Sequence, residues 1–381
     1  MIVYNKTTLR NLFIQQQAEE AAKEGYFSTA ILEEVKKAFP VDLYMPDTFV
    51  KIGLALLTVF ITVCTFGLVA LLFNVESFTA FFVTAGVACY IVLEVMTVQK
   101  HHYNSGVDNM LMLISATFIL SGIAFKLNNN LEGILSLISF VIFSWFTARF
   151  ADRLAGILAV ISFLSFVFNV YIGLGEFTSS SFPYILIGVS GVLYYTFHRL
   201  KAGSNGYSVY QPVFQTISII GLCAFYLAGN FYVVDLLTDE TYLLQRDSAL
   251  SLSWFFWCWT MIVPVLFLVK GIKDKDVFLG RSGIVFMVVS ILTFRYYFHI
   301  ISTEAAMLIA GASLLIISYF LMKYLRVSKH GFVFDNSNNR TKTENLEAFV
   351  IGQSLGHHAT PAGETKFGGG NFGGAGAGSD Y

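Results

Sequence analysis

The chain has 381 residues, 55% of them hydrophobic and 13% charged, with a mean hydropathy of +0.65. Soluble domains carry charge on about a quarter of their residues, so this is a membrane composition. A net charge of −1 supplies no basic field, which excludes nucleic acid as a partner class.

Residues 7–24, TTLRNLFIQQQAEEAAKE, predict a helix capped by Thr7 or Thr8 and stopped by Gly25, with Leu9, Leu12, Phe13 and Gln16 on one face. A second helix, STAILEEVKKAF, starts at Ser28 and closes on Lys36 and Lys37 ahead of Pro40. Together they form a cytoplasmic helical hairpin, expected to rest on the membrane face or on a partner because it is too small to fold alone. No short apolar stretch with a small-residue cleavage site lies in this region, so no cleavable signal peptide is expected. The first apolar segment then inserts as its own uncleaved signal. The segment VDLYMPDTF leads into it, with Tyr44 and Phe49 at interface depth.

Ten stretches approach the ~20 apolar residues that a spanning helix needs. They are 51–73, 77–98, 108–125, 131–149, 154–172, 183–199, 211–234, 252–270, 278–299 and 304–325. The sixth, PYILIGVSGVLYYTFHR, is the shortest; Pro183 is tolerated at a first helical position because that N–H would have no partner anyway. Lysine and arginine give an independent test of this count. With the N-terminus inside, the inner connectors hold Lys100, Arg149, Arg153, Arg199, Lys201, Lys270, Lys273, Lys275 and Arg281. Six more, Lys6, Arg10, Lys23, Lys36, Lys37 and Lys51, precede or open the first span, whereas the outer connectors hold only Lys126 and Arg246. That alternation is what the positive-inside rule demands.

The expected fold is therefore all-α, a polytopic helical membrane bundle of about ten transmembrane helices with both termini cytoplasmic. Its expected parts are a cytoplasmic helical hairpin over 1–48, a ten-helix transmembrane domain over 49–325 and a largely disordered Gly-rich cytoplasmic tail over 326–381. The longest outer connector, DLLTDETYLLQRDSAL over 235–250, is acidic and reads as a solvated connection. The last fifteen residues, 367–381, contain seven glycines with Phe367, Phe372 and Tyr381. They read as a flexible tether with aromatic stickers, either an inert end or a docking tail.

That terminus, FGGGNFGGAGAGSDY, resembles the C-termini of bacterial membrane proteins that carry the TPM domain; the TPM domain itself has no counterpart here. More broadly, the N-terminal hairpin LRNLFIQQQAEEAAKEGYFSTAILEEV and the stretch RYYFHIISTEAAMLIAGASLLIISYFLMKYLR are similar to uncharacterised bacterial multi-pass membrane proteins. That resemblance implies the bacterial cytoplasmic (inner) membrane and no particular activity.

Ionisable groups inside spans are expensive, so they lead the candidate functional residues. Glu94 lies six residues before Lys100, about 9 Å from the inner boundary. It either snorkels toward the interface or pairs with an inner-loop cation, or it serves as a proton- or cation-coupling carboxylate. Arg295 and His299 are i,i+4 neighbours near the outer end of the ninth span, and Glu304 opens the tenth. They form either an interfacial anchor with Tyr296 and Tyr297, with Arg295 bridged to Glu304, or an outward-facing anion site. Pro264 is the one mid-span proline, a tolerated kink or the break of a transport helix. Asn169 and Asn230 are expected to form interhelical hydrogen bonds.

No GxSxG, HExxH or Walker motif is present, so no catalytic residue is assigned. His101–His102 and His357–His358 lack the further ligands a metal would need. The four cysteines form no CxxC and are expected to be buried apolar residues, with no disulfide, zinc or other cofactor. Two functions fit: a transporter of a small molecule or ion, or a non-enzymatic scaffold or sensor binding a protein partner through the hairpin or tail. The lipid bilayer is the expected surrounding of both.

Overall fold

Apolar runs bounded by capping residues become twelve helices among the described residues. In the computed structural model these residues are 2–298, apart from 24–25, 27, 73–76, 128–131, 173–180, 204–208, 242–252 and 275, together with positions 308, 311, 312, 315, 316, 319 and 323. The helices are α1 (Lys6–Lys23), α2 (Thr29–Ala38), α3 (Thr48–Leu72), α4 (Phe78–Val98), α5 (Val107–Lys126), α6 (Glu132–Phe150), α7 (Arg153–Ile172), α8 (Phe182–Gly203), α9 (Gln211–Gly229), α10 (Phe231–Thr241), α11 (Ser253–Lys273) and α12 (Val277–Tyr297). The chain divides into two compact units, Met1–Glu19 with Phe27–Leu308, and Glu20–Tyr26 with Ile309–Tyr381. Every relationship described below lies within the first. In the second, the last turn of α1 and isolated positions from 311 to 323 are helical.

Eight of these helices, α3 to α7, α9, α11 and α12, are long and apolar enough to cross a membrane. The expected sixth span is a helix too, α8, but Tyr194, Tyr195, His198, Arg199 and Lys201 make its second half polar, and it is not one of the eight. The expected tenth span lies mostly outside the described residues, as does all of the tail over 326–381.

The spans pair as consecutive antiparallel hairpins, α4 with α5, α6 with α7, α8 with α9 and α11 with α12. Lipid offers no hydrophobic drive between helices, so close approach has to come from small residues. At Gly86 a Cβ would stand 2.9 Å from the main-chain N of Ile119 and the carbonyl of Ser115, so only glycine permits this crossing of α4 and α5. The approach lets the Ser115 hydroxyl donate to the Gly86 carbonyl at 2.9 Å. At Gly283 a Cβ would come 2.6 Å from the N of Leu268, which brings α12 onto α11 in the same way. Longer-range packing sets α7 on α9, α5 on α6, α11 on α9 and α3 on α5. Of the residues of α3 only Thr62 is buried; the others leave it at the periphery, where lipid would cover it.

The connectors sort to one end. The Val3 N–H donates to the Arg149 carbonyl at 2.9 Å, at the close of α6. Tyr44 pairs with the α4–α5 connector through His101 and Tyr103, and the Tyr210 hydroxyl, just before α9, donates to the Ala148 carbonyl at 2.6 Å. Lys201, at the end of α8, lies over the Phe278 ring at the start of α12. The Lys/Arg-bearing connectors after α4, α6, α8 and α11 and the N-terminal segment thus share what we call the Arg149 end.

The N-terminal hairpin does not stand apart from the bundle. Leu9 and Leu12 of α1 are 2% and 6% exposed and join the core cluster of Leu93, Leu111, Met112, Phe146, Phe150 and Ala155. Its resting place is the protein's own helix ends. By contrast α2 has no buried residue, and is tied to α1 by Gln15 to the Phe39 carbonyl (2.6 Å), Asn11 to the Pro40 carbonyl (2.9 Å) and a Lys36–Glu19 ion pair (2.7 Å).

All four cysteines are free thiols, but only Cys89 is buried; Cys64 and Cys258 are exposed on the outer faces of α3 and α11. The expectation of burial failed there because an apolar thiol is equally at ease against lipid.

Candidate functional site

At the Arg149 end, Glu94 of α4 meets Arg149 of α6. The guanidinium Nε donates to Oε1 at 2.9 Å and Nη2 to Oε2 at 3.0 Å, a two-point fork. The Tyr90 hydroxyl, one turn earlier on α4, donates to Oε1 at 2.7 Å and accepts from the Trp145 indole at 3.2 Å. A carboxylate held on both oxygens already has its charge neutralised, which is how an ionised group is accommodated at this depth. Of the alternatives for Glu94, this geometry is that of pairing with a connector cation.

Just beyond lie two further carboxylates. Asp108, at the first turn of α5, is 7% exposed and accepts from the main-chain N–H of Asn104 (2.7 Å) and Ser105 (2.8 Å) and from the Ser105 hydroxyl (3.0 Å). Asp152 caps α7 by accepting from the Ala155 N–H at 2.8 Å. Burial pushes the Asp152 carboxyl above the usual carboxylate range, against the Ala155 hydrogen bond, and the neighbouring Asp108 charge adds to the rise. Tyr4 from the N-terminal segment is 8% exposed, with its ring edge-on to Tyr103 at 5.0 Å. Burial, reinforced by Asp108, pushes its phenol up, so it stays neutral.

The backbone here is held in unusual states. His101, Asn104 and Ala151 have φ of 54°, 50° and 50°, and Gly106 has φ of 92°. Left-handed residues outside glycine persist only where the surroundings over-determine them. Gly106 is doubly required, since a Cβ would stand 2.3 Å from the Lys51 carbonyl.

At the opposite end the seventh expected span is interrupted. It was expected as one stretch over 211–234, but α9 stops at Gly229 and α10 restarts at Phe231. Asn230, 0% exposed, makes the break. Its Oδ1 accepts from the N–H groups of Tyr232 (3.1 Å) and Val233 (3.4 Å), capping α10, and its amide donates to Tyr226 (3.2 Å) and to Thr293 of α12 (3.1 Å). The remaining first-turn N–H, of Phe231, goes to the Thr260 hydroxyl of α11 at 2.9 Å. The Tyr226 hydroxyl donates to the Phe286 carbonyl at 3.2 Å while its ring stacks on Phe286 at 4.5 Å. One uncharged network therefore ties four helices together. Nineteen residues at 1.5 Å place it about 28 Å from the start of α9, near the far face of a bilayer.

Pro264, fully buried in α11, is one turn from Thr260. Having no N–H, it leaves the Thr260 carbonyl without its helical donor, and α12 approaches the Pro264 carbonyl closely at Gly283. Arg295 is half-buried in the last turn of α12, whereas His299 and Glu304 lie outside the described residues. Beside Arg295, the Tyr297 hydroxyl bonds the Asp235 carboxylate and Tyr296 meets Tyr232 edge-on at 4.9 Å. Asp235 belongs to α10 and not to the solvated connection expected from 235 onward. Asn169 reaches the Ser136 hydroxyl of α6 at 3.4 Å, but its shorter bond, 2.8 Å, is to the Ser165 carbonyl of its own helix.

A cavity of about 380 Å³ lies between α6, α7, α8 and α9, walled by Phe140, Phe163, Phe197, Phe214 and Ile217, with Thr147 and Tyr210 toward the Arg149 end.

Eight span-length apolar helices packed in hairpins define the class, a helical multi-pass membrane protein. Compared with protein-family models, curated proteins and solved structures, the chain matches none.

Proposed function

We propose that the chain is a transporter of a small molecule or ion, with ten membrane crossings and both termini in the cytoplasm of a bacterial cell. The observation that carries the reading is the interrupted crossing at Asn230, where α9 gives way to α10 amid a buried network of uncharged polar groups. Broken helices mark solute sites in transporters, and a second irregularity, Pro264, lies one turn from the same network. Uncharged partners suit a solute that must be bound and released. Grouping of the basic connectors at the Arg149 end supports the cytoplasmic assignment of that end. Residues 49–325 form the transmembrane domain of this reading and 326–381 its cytoplasmic tail.

The test is reconstitution into liposomes and uptake of radiolabelled amino acids, sugars and monovalent cations. One solute is expected to accumulate, and Asn230→Ser to abolish its flux while the protein still inserts and elutes as wild type. Flux unaltered by that change would sink the reading.

The second reading is a scaffold, favoured by α2. Ile31 is 47% exposed on a helix with no buried residue, and Phe39, at its C-cap, is 36% exposed; both are open to a protein partner. It predicts that Ile31→Asp removes function while Asn230→Ser is silent.

A further inference from the structure

We propose that the cavity between α6, α7, α8 and α9 is a binding site for one acyl chain of a bilayer phospholipid. The inference rests on membrane placement alone and is independent of transport. Its walls are aromatic and aliphatic, Phe140, Phe163, Phe197, Phe214 and Ile217 among them. Apart from Ser144, the polar side chains that border it already donate elsewhere: the Thr147 hydroxyl to the Phe143 carbonyl at 2.7 Å and the Tyr210 hydroxyl to the Ala148 carbonyl at 2.6 Å. One hydroxyl is fewer than the two to four polar partners that hold a water in place.

Depth and lining select the occupant. From Thr147 to Phe140 the wall runs seven residues of α6, about 10 Å. That is most of the ~15 Å of hydrocarbon in one leaflet, measured from the end where the connectors gather. The space, about 380 Å³, is partly open to its surroundings, so a flexible hydrocarbon chain can enter it from the leaflet. At this depth the bilayer supplies such chains at far higher concentration than any other apolar molecule. The site is therefore lipid-filled in the native membrane.

The full chain in nanodiscs of phosphatidylethanolamine and phosphatidylglycerol, doped with phosphatidylcholine bearing a diazirine on its acyl chain, tests this by photolysis and peptide mapping. Labels should concentrate on 140–163 and 193–217 at several times the density on the exposed face of α3, where Leu56 and Phe60 supply an internal reference. Ala159→Phe, which fills the cavity from α7, should cut the cavity labels at least fivefold and leave the α3 labels unchanged; Val160→Phe provides a second filling variant. Equal labelling of α3 and the cavity in the unaltered protein overturns the proposal, as does cavity labelling that survives filling. Loss of cavity labels on adding an equimolar prenylated quinone also overturns it, assigning the cavity to an isoprenoid. Should both filling variants fail to insert, the wild-type map alone decides.

Discussion

Arg149 closes on Glu94 across 55 residues of sequence through two hydrogen bonds of 2.9 and 3.0 Å, joining the last turn of α6 to α4. Both side chains keep about a quarter of their surface open, 28% and 22%, so the pair is neither a surface bridge nor a fully desolvated one.

Removing either partner leaves the other charge facing hydrocarbon. Glu94→Gln or Arg149→Ala alone should cost about 2–3 kcal/mol, the low side of what breaking a buried pair costs. The double variant should cost clearly less than the sum of the two. Unfolding in mixed detergent micelles, followed by circular dichroism, reads the cycle, and strict additivity would show that the fork contributes nothing.

Asn230 does two jobs, capping α10 and cross-linking α9 to α12. Asn230→Ala should cost about 2 kcal/mol, from about 1 for the lost cap and the rest for buried hydroxyls left short of a partner. Asn230→Ser, which keeps a capping oxygen, should cost about half as much. The same unfolding measurement ranks them; equal losses would mean that the cap is idle.

Asp152 gives a pH signature. Its folded carboxyl titrates above its unfolded value because of burial, so the native state binds the proton more tightly. Stability from this group is full below the unfolded value, near 4, and is lost as pH rises through the raised folded value. Asp152→Asn keeps the oxygen that caps Ala155 and should flatten that segment of the stability curve while leaving neutral-pH stability equal or higher. A variant that loses stability at pH 7 instead would show that the carboxylate charge is needed.

The docking of α1 separates it from α2. Leu12→Ala, at a position 6% exposed, should lower stability by about 2–3 kcal/mol. Ile31→Ala on α2, at 47% exposed, should stay within about 0.5 kcal/mol. Equal effects would mean that α1 does not rest on the bundle.

Hydropathy made the spans legible. The stretches expected at 51–73 and 77–98 are helices at Thr48–Leu72 and Phe78–Val98, because twenty apolar residues in a row have few alternatives in lipid. The break at Asn230 was not visible this way. One more amide in a mostly apolar run of two dozen residues hardly moves a windowed mean, although Gly229–Asn230 is a helix-stop pair that a capping search would have flagged. Glu94 was recognisable as costly, and depth made a connector cation one of the partners open to it. That the cation is Arg149 depends on which helices become neighbours, which periodicity does not encode. Asp108, at the first position of an expected span, and Asp152, in a connector, carried no sequence signal of their own, since only tertiary packing buries them. The face of α1 carrying Leu9 and Leu12 was readable, but what it would meet was not.

The seat of α1 has a consequence for biosynthesis. Leu9 and Leu12 leave the ribosome well before their partners, which include Phe146, Phe150 and Ala155. At roughly 5–20 residues per second, those partners follow on the order of ten seconds later. Through that interval the amphipathic segment waits at the membrane surface, open to chaperones and proteases, and it locks down once the helices completing its seat have been threaded into the bilayer.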